Sequence, residues 1–300
     1  MISACKVSVD HNNRETVAHG TTEFPVACYH EDVNVEIIPW HWHDEMEALF
    51  VRQGRVDIHV GKDVYEIRAG EGFFINAGIV HCYFFSPHYE QDDYSMNAVV
   101  FHPRIVGAGA ESIFHRRYIQ PVTDNVSFAG CILKPDVPWQ AGMLMHVKNC
   151  WDACKAEDDG YEIQVRFELT RLMEAMAGNL HAQVSKPDAR TLRDTDRLKK
   201  MLHFIEENYA SAITAADIAG SASVSESEAL RCFKSVIGTT PVRYLREYRI
   251  TVACAMLNDG GLRSTDVAFA CGFQDLSYFT KIFKAEKGCT PGEYARKHKK

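Results

Sequence analysis

Across residues 33–101 apolar and polar positions alternate in short runs, the pattern of strands with one buried face. Val33-Asn34-Val35-Glu36-Ile37-Ile38 alternates, and Ala48-Leu49-Phe50-Val51 is a short apolar run that ends at Gly54. Val56-Asp57-Ile58-His59-Val60 turns at Gly61-Lys62-Asp63 into Val64-Tyr65-Glu66-Ile67, which reads as a hairpin. After the turn at Gly70-Glu71-Gly72, further strands are predicted at 73–75, 81–85 and 96–101. Six or more short strands with turn punctuation predict a small antiparallel barrel or sandwich.

Beyond Pro138 the spacing becomes helical. Met143, Leu144, Val147, Cys150, Trp151 and Cys154 recur three or four residues apart. A break at Glu157-Asp158-Asp159-Gly160 precedes a second run with apolar Ile163, Val165, Phe167, Leu169, Leu172, Met173 and Met176, ending near Gly178. Two such helices can form a dimer seam or pack against the barrel, and the pattern does not choose. Residues 183–194, with Ser185, Lys186, Pro187 and Asp188, are polar and rich in breakers, which marks a linker.

The last third contains a duplication. Phe233-Lys234-Ser235-Val236-Ile237-Gly238-Thr239-Thr240-Pro241 with Tyr244 returns fifty residues later as Phe283-Lys284-Ala285-Glu286-Lys287-Gly288-Cys289-Thr290-Pro291 with Tyr294. Upstream, Asp217-Ile218-Ala219 answers Asp266-Val267-Ala268. Two copies exclude a solenoid and fit a duplicated supersecondary unit. In each copy Thr214 or Ser264 is placed to cap a short helix, and a turn follows at Ser223-Val224 or Gly272-Phe273. Ser225 and Glu228 then form a capping box for a second helix. Its predicted core stripe is Ala229, Cys232, Phe233 and Val236 in the first copy. In the second it is Phe279, Ile282, Phe283 and Glu286 or Lys287. Gly238 and Gly288 end these helices, and Pro241 starts a long helix to Leu257 that joins the copies. Helix, turn and capped helix in duplicate predict two helix-turn-helix units.

Charge separates the two parts. Residues 1–189 hold 15 Lys and Arg against 27 Asp and Glu, whereas residues 190–300 hold 18 against 13. An acidic front and a basic back suggest that only the back meets a polyanion. With 46% hydrophobic and 24% charged residues, the 300-residue chain is neither disordered nor a disulfide-stapled miniprotein. No apolar stretch is long enough to span a membrane, and the segment Met1-Ile2-Ser3-Ala4-Cys5-Lys6 does not read as a signal peptide. The ten scattered cysteines are expected to be reduced, cytoplasmic thiols, with Cys150 and Cys154 on one helix face.

The front carries a candidate site. His41, His43 and Glu47 have the spacing H-x-H-x3-E, and as strand neighbours on one face they are expected to point into the barrel. His81, after Gly72 and Gly78, would join them from a facing strand. Three imidazoles and a carboxylate suit a divalent Zn, Ni, Mn or Fe ion, and equally an effector pocket without metal. Trp40 and Trp42 alternate with the histidines and are assigned to packing or an interface; His59 and His102 are read as ordinary strand residues.

These residues resemble the two motifs of the cupin barrel over roughly 33–101, with Asn76 where the second motif usually has proline. That resemblance implies His41, His43, Glu47 and His81 as metal ligands. Residues 195–297 resemble the DNA-binding domain of the AraC/XylS family of bacterial regulators. The match is carried by Asp266-Val267-Ala268, Gly272-Phe273, Asp275-Leu276-Ser277-Tyr278-Phe279, Phe283-Lys284, Gly288-Cys289-Thr290-Pro291 and Tyr294. Ser223 stands in the first turn where the family often has glycine.

The implied protein is multidomain, α and β. It has a cupin-like antiparallel β-barrel over 1–137, a helical connector over 138–182, a linker over 183–194 and an all-α domain with two helix-turn-helix units over 195–300. The resemblance and the helical phase make Ser227, Leu230 and Arg231 base-edge candidates, with Leu276, Ser277, Thr280 and Lys281 on the equivalent face of the second copy. Lys234 and Lys284 are assigned to phosphates. Two recognition helices in successive major grooves would lie about 34 Å apart. The expected partners are double-stranded promoter DNA, a small-molecule or metal effector and a second copy of the chain, with no membrane. The alternative from another class is a metal-dependent cupin enzyme, an oxygenase or isomerase, with an appended DNA-binding domain.

Overall fold

The computed structural model describes residues 2–3, 19–32, 37–84, 94–107, 109, 111–125, 127–180, 189–258 and 262–297. The predicted strand residues 33–36, Phe85 and the linker residues 183–188 lie outside the described residues. The chain forms two compact units that divide at Leu192 and Arg193.

The first unit is built from ten strands and the helices that cover them. The strands are β1 (Ile2–Ser3), β2 (Val26–Asp32), β3 (Ile37–His41), β4 (Met46–Gln53), β5 (Arg55–Val60), β6 (Asp63–Arg68), β7 (Gly72–Ile75), β8 (His81–Phe84), β9 (Ser95–Phe101) and β10 (Gly130–Leu133). They make a six-stranded sheet in the order β1-β2-β9-β4-β7-β10 and a four-stranded sheet in the order β3-β8-β5-β6. All pairings are antiparallel except β1 with β2. Strands β2 and β10 extend the predicted set. The barrel is thus made of two facing sheets. Between them lies a core of Tyr29, Leu49, Val51, Phe73, Ile75, Met96, Ala98 and Val100 against Ile38, Val56, Ile58, Val60, Ile67 and Tyr83.

Burial explains the sequence pattern. In β5 buried and half-buried residues alternate, because the small sheet turns one face to the core. Residues 46–51 of β4 are buried on both faces, which is why that strand reads as an unbroken apolar run. Its outer face is covered by helices α3 (Pro138–Ala156) and α4 (Tyr161–Asn179), which follow the short α1 (Arg104–Gly107), a π-helical turn at His115–Ile119 and α2 (Gln120–Thr123). Met143, Leu144, Val147, Cys150, Trp151 and Cys154 share one core with Val165, Leu169, Leu172, Met173 and Met176 and the outer side of the large sheet. The helical stripes therefore pack within the chain. Ile163 and Phe167, grouped with that stripe by spacing, instead point outward at 77% and 58% exposure. They fall on the far side of the helix from Val165, Leu169 and Leu172.

The second unit is entirely helical. Helix α5 (Ala189–Asn208) begins inside the stretch that composition marks as linker, so residues 189–194 are its first turns. Then come α6 (Ala215–Ser221), α7 (Glu226–Ile237), α8 (Pro241–Asn258), α9 (Ser264–Ala270), α10 (Leu276–Lys287) and α11 (Pro291–Lys297). Thr214 caps α6 in a reciprocal box with Asp217, and Ser225 caps α7 with Glu228. Ser264 does not cap α9; Arg263 takes the cap position and its guanidinium pairs with Asp266, while Ser264 is the first helical residue. Gly238 and Gly288 close α7 and α10 in the left-handed conformation. The stripe of α7 is Ala229, Cys232, Phe233 and Ile237, so Ile237, a full turn after Phe233, is buried in the place assigned to Val236. In α10 Phe279 and Phe283 are buried, and Ile282 only partly; Glu286 is exposed and meets Arg246. Ile250, Ala253, Cys254 and Leu257 of α8 form the second repeat's core with Val267, Ala268, Phe279 and Phe283.

Candidate functional site

The four residues singled out in the front converge, by a different route from a shared strand face. His41 ends β3, His43 lies in the turn, and Glu47 stands in β4, so the motif folds over a corner between the two sheets. A register shift between Ile38 and His41 brings His41 opposite His81, the first residue of β8. The backbone N–H of Gly78 donates to the His43 carbonyl at 2.8 Å and holds the turn before β8 against the motif. Asn76 does more than proline could: its amide donates to the Val122 and Phe128 carbonyls at 2.8 and 3.0 Å and its oxygen accepts from Ala77 N–H.

All four side chains are buried, at 2, 2, 5 and 0% exposure for His41, His43, Glu47 and His81. One ligand atom from each lies within 4.8 Å of every other. The three rings are oriented alike. Nδ1 of His41, His43 and His81 lies 2.8, 3.0 and 2.8 Å from the carbonyl oxygens of Pro39, Glu45 and Ile79. A carbonyl only accepts, so each Nδ1 carries a proton, and Nε2 is left as the free ligand atom of the ring. The Nε2 atoms of His43 and His81 stand 3.4 and 3.3 Å from Oε2 of Glu47, yet neither has a hydrogen-bond partner.

Burial, and then the facing His81 and His43, hold the His41 imidazole well below its ordinary pKa, in the neutral ligand form. Burial would raise the Glu47 carboxyl, but the His43 and His81 rings outweigh it and keep the group well below the usual carboxylate range. Three ring nitrogens and a carboxylate gathered in one place, each ring fixed by a backbone carbonyl, are a donor set that fits a divalent cation.

The cluster opens on a small pocket that is also lined by His19, Tyr29, Glu31, Tyr83, Met96, Ala98 and Val100. His19 stacks edge-on to His43 with 5.0 Å between centroids, and its Nδ1 is 2.8 Å from the Tyr29 hydroxyl. His19, His43 and Glu45 form a second group of close ligand atoms. Tyr29 and Glu31 escape the motif search because they lie in β2, outside the stretch read as strands. The alternation of Cys28, Tyr29, His30 and Glu31 is the signal that locates them. Trp40 is buried and packs on the His59 ring, as assigned.

In the second unit each short helix, tight turn and capped helix follows the predicted order. Ser223 and Gly272 occupy equivalent turns, with φ of 54° and 79°. A helix-turn-helix domain profile matches residues 218–297, and a cupin domain profile matches residues 29–86. The chain is 29% identical over 291 residues to the uncharacterized HTH-type transcriptional regulator YdeC of Bacillus subtilis (strain 168), covering 96% of this chain and 97% of that protein. The chain is a transcription regulator with a cupin domain and an AraC-type helix-turn-helix domain.

A second relative of this regulator is the HTH-type transcriptional activator RhaR of Yersinia pestis bv. Antiqua (strain Angola), 25% identical over 279 residues that cover 92% of this chain and 90% of the relative. Among solved structures, ToxT from Vibrio cholerae aligns over 90% of this chain and 98% of its own, with a TM-score of 0.46 and 11% identity.

Within the regulator's α7, Ser227, Leu230 and Lys234 are exposed. Arg231 is half-buried, and its guanidinium lies 3.5 Å from the buried Asp194 of α5 and 3.9 Å from Glu228. Arg197 joins the same carboxylates. In α10, Leu276, Ser277, Lys281 and Lys284 are exposed. Thr280 is half-buried and donates its hydroxyl to the Leu276 carbonyl at 2.8 Å, so the hydroxyl proton is already used within the helix. Asp194 is the residue that spacing did not reveal, because it comes from a helix outside the repeat.

Proposed function

We propose that this regulator reads promoter DNA through α7 and α10, and that occupancy of the inter-sheet site sets its DNA affinity. The observation that carries the sensing half is the convergence of three buried imidazoles and Glu47 beside a pocket. The DNA half is carried by two capped helices that present Ser227, Leu230, Arg231 and Lys234, and Leu276, Ser277, Lys281 and Lys284, in a basic unit. Arg231 is assigned to a guanine edge and Lys234 and Lys284 to phosphates. Thr280 is placed at the rim of the contact.

A divalent metal held by His41, His43, Glu47 and His81 would supply a Lewis-acidic coordination point for an effector in the cavity. The protein's own side chains set its position: the Pro39, Glu45 and Ile79 carbonyls fix the rings, and Tyr29, Glu31 and Tyr83 shape the cavity. Effector binding then shifts a pre-existing equilibrium between DNA-competent and incompetent states. The domains assigned to these roles are 1–137 for sensing, 138–182 for the connector and 195–300 for DNA. The acting form is a cytoplasmic homodimer, and Ile163 and Phe167 on the outer side of α4 supply an apolar contact for the second copy.

The test is selection of a preferred duplex from a random DNA pool by the full chain, followed by affinity for that duplex with and without metal chelation. A consensus sequence and an affinity change on chelation support the reading. Absence of any consensus removes it. The donor set of three histidines and a glutamate is also one that a metal-dependent oxygenase or isomerase uses. Turnover of a small molecule by the metal-loaded chain would favour that reading.

A further inference from the structure

One arginine lies where the two repeats touch. Helix α5 ends at Asn208, and the residues after it, Tyr209 to Ser211, lead to the first repeat's cap at Thr214. Arg249 of α8 reaches this segment. Its Nε donates to the Tyr209 carbonyl and its Nη2 to the Ser211 carbonyl, both at 2.7 Å. The segment follows the carbonyl end of α5, where orphan acceptors and the helix dipole favour a cation. Two short bonds from a planar fork fix direction as well as distance.

The same guanidinium also meets the second repeat. Its carbon lies 5.8 Å from the centre of the Phe273 ring. Phe273 stands in the turn between α9 and α10 and packs on the buried Phe279 of α10, with 4.9 Å between centroids. Gly272, beside it, approaches the Tyr209 carbonyl that Arg249 holds. A loop of the first repeat and a turn of the second are thus joined through a half-buried arginine from the helix between them. The other tie from α8 to α10, Arg246 Nη2 to Glu286 Oε1 at 3.5 Å, is longer and one-third exposed, and such pairs contribute little.

We propose that Arg249 is the positioning residue that fixes the two helix-turn-helix units in one relative orientation, so that the protein accepts one separation between the subsites of α7 and α10 on DNA. The proposal rests on the reading that those two helices contact DNA. One base pair inserted between the subsites moves them apart by about 3.4 Å and turns one around the duplex by about 34°. Two units locked together cannot follow both changes, whereas two units joined by α8 alone can adjust. Loss of a merely structural contact would weaken binding to every duplex in proportion and leave the preferred spacing where it was.

The experiment selects a duplex from a random DNA pool with the full chain. Affinity is then measured for that duplex and for copies with one base pair inserted or removed between the subsites. The parent should lose about tenfold or more at either altered spacing, comparable to a mismatched base pair. Arg249→Met keeps the stem and removes the fork; it should bind the selected duplex more weakly and lose less than about threefold at the altered spacings. On a duplex with one intact subsite it should match the parent, because each unit keeps its own core. Arg249→Lys keeps the charge without the paired bonds and should fall between the two. It carries the test if the helical signal shows that the methionine variant does not fold. A variant that keeps the parent's spacing preference overturns the proposal, whatever its affinity. A parent that binds all three spacings alike also overturns it and leaves the DNA reading in place. A parent that selects no consensus removes that reading and this proposal with it.

Discussion

Gly272 and Tyr209 meet backbone to backbone: a Cβ on Gly272 would stand 2.4 Å from the Tyr209 carbonyl oxygen. The turn of the second repeat is therefore closed against the segment after α5, at a φ of 79° that favours glycine. Ser223, its counterpart, takes a φ of 54° with a side chain attached.

The pair gives opposite outcomes on substitution. Gly272→Ala should destabilise the second unit by about 2 kcal/mol or more, from the left-handed backbone and the displaced carbonyl. Ser223→Gly should be neutral or stabilise by up to about 1 kcal/mol, because it removes left-handed strain. Chemical denaturation of the full chain, followed by the helical signal, checks both; equal effects would remove the distinction between the turns.

The inter-sheet cluster predicts metal content. The purified chain should hold a divalent ion near one per chain by mass spectrometry, and His43→Ala should lose most of it. Glu47→Gln should weaken binding with the fold intact, since it keeps shape and removes charge. Metal-free parent protein prepared with divalent ions present would leave the rings as a purely organic pocket.

Stability of the second unit should fall as pH rises. Burial raises the Glu206 carboxyl to about 8, although the Tyr244 hydroxyl donates to it and opposes the shift. Between the ordinary value of 4.5 and about 8 the unfolded chain has released this proton and the folded chain retains it. Stability therefore drops by at most about 1.4 kcal/mol per pH unit across that window and levels off above it. Glu206→Gln should flatten this part of the profile; an unchanged slope would assign the dependence elsewhere.

On DNA, Arg231→Ala should relax discrimination at one base pair by about 1–3 kcal/mol. Lys284→Ala should instead weaken binding to all sequences alike and reduce the salt slope by about 1. Asp194→Asn, which releases the guanidinium from its carboxylate, should alter the same base preference as Arg231→Ala without changing the slope. Binding curves at several salt concentrations separate the three.

The outer pair on α4 predicts an association contact. Ile163→Asp with Phe167→Asp should shift sedimentation toward the monomer and leave thermal unfolding of the first unit nearly unchanged, since both side chains are exposed. A dimer that survives the double change lies on another face.

Local chemistry made much of this legible in the chain. The Thr214 and Ser225 caps and the Gly238 and Gly288 stops depend on residues within a turn or two of one another, so spacing alone determined them, whereas the ends of the α7 and α10 stripes did not follow it. Ile163 and Phe167 were misjudged because apolar identity was counted without phase, and phase against Val165 and Leu169 decides the buried side.

The histidine cluster was found in composition but not in construction. Its H-x-H-x3-E spacing names the donors, whereas the corner between β3 and β4 and the register shift at His41 bring them together. Tyr29 and Glu31 beside the histidines, and Asp194 beside Arg231, were invisible in the chain because each contact joins residues far apart in sequence. Sequence by itself determined the repeat, the charge division and the pairing of a cupin domain with a helix-turn-helix domain. Only the tertiary structure decided which donors share a centre and which arginine is restrained, because these depend on distances that close when sheets and helices pack.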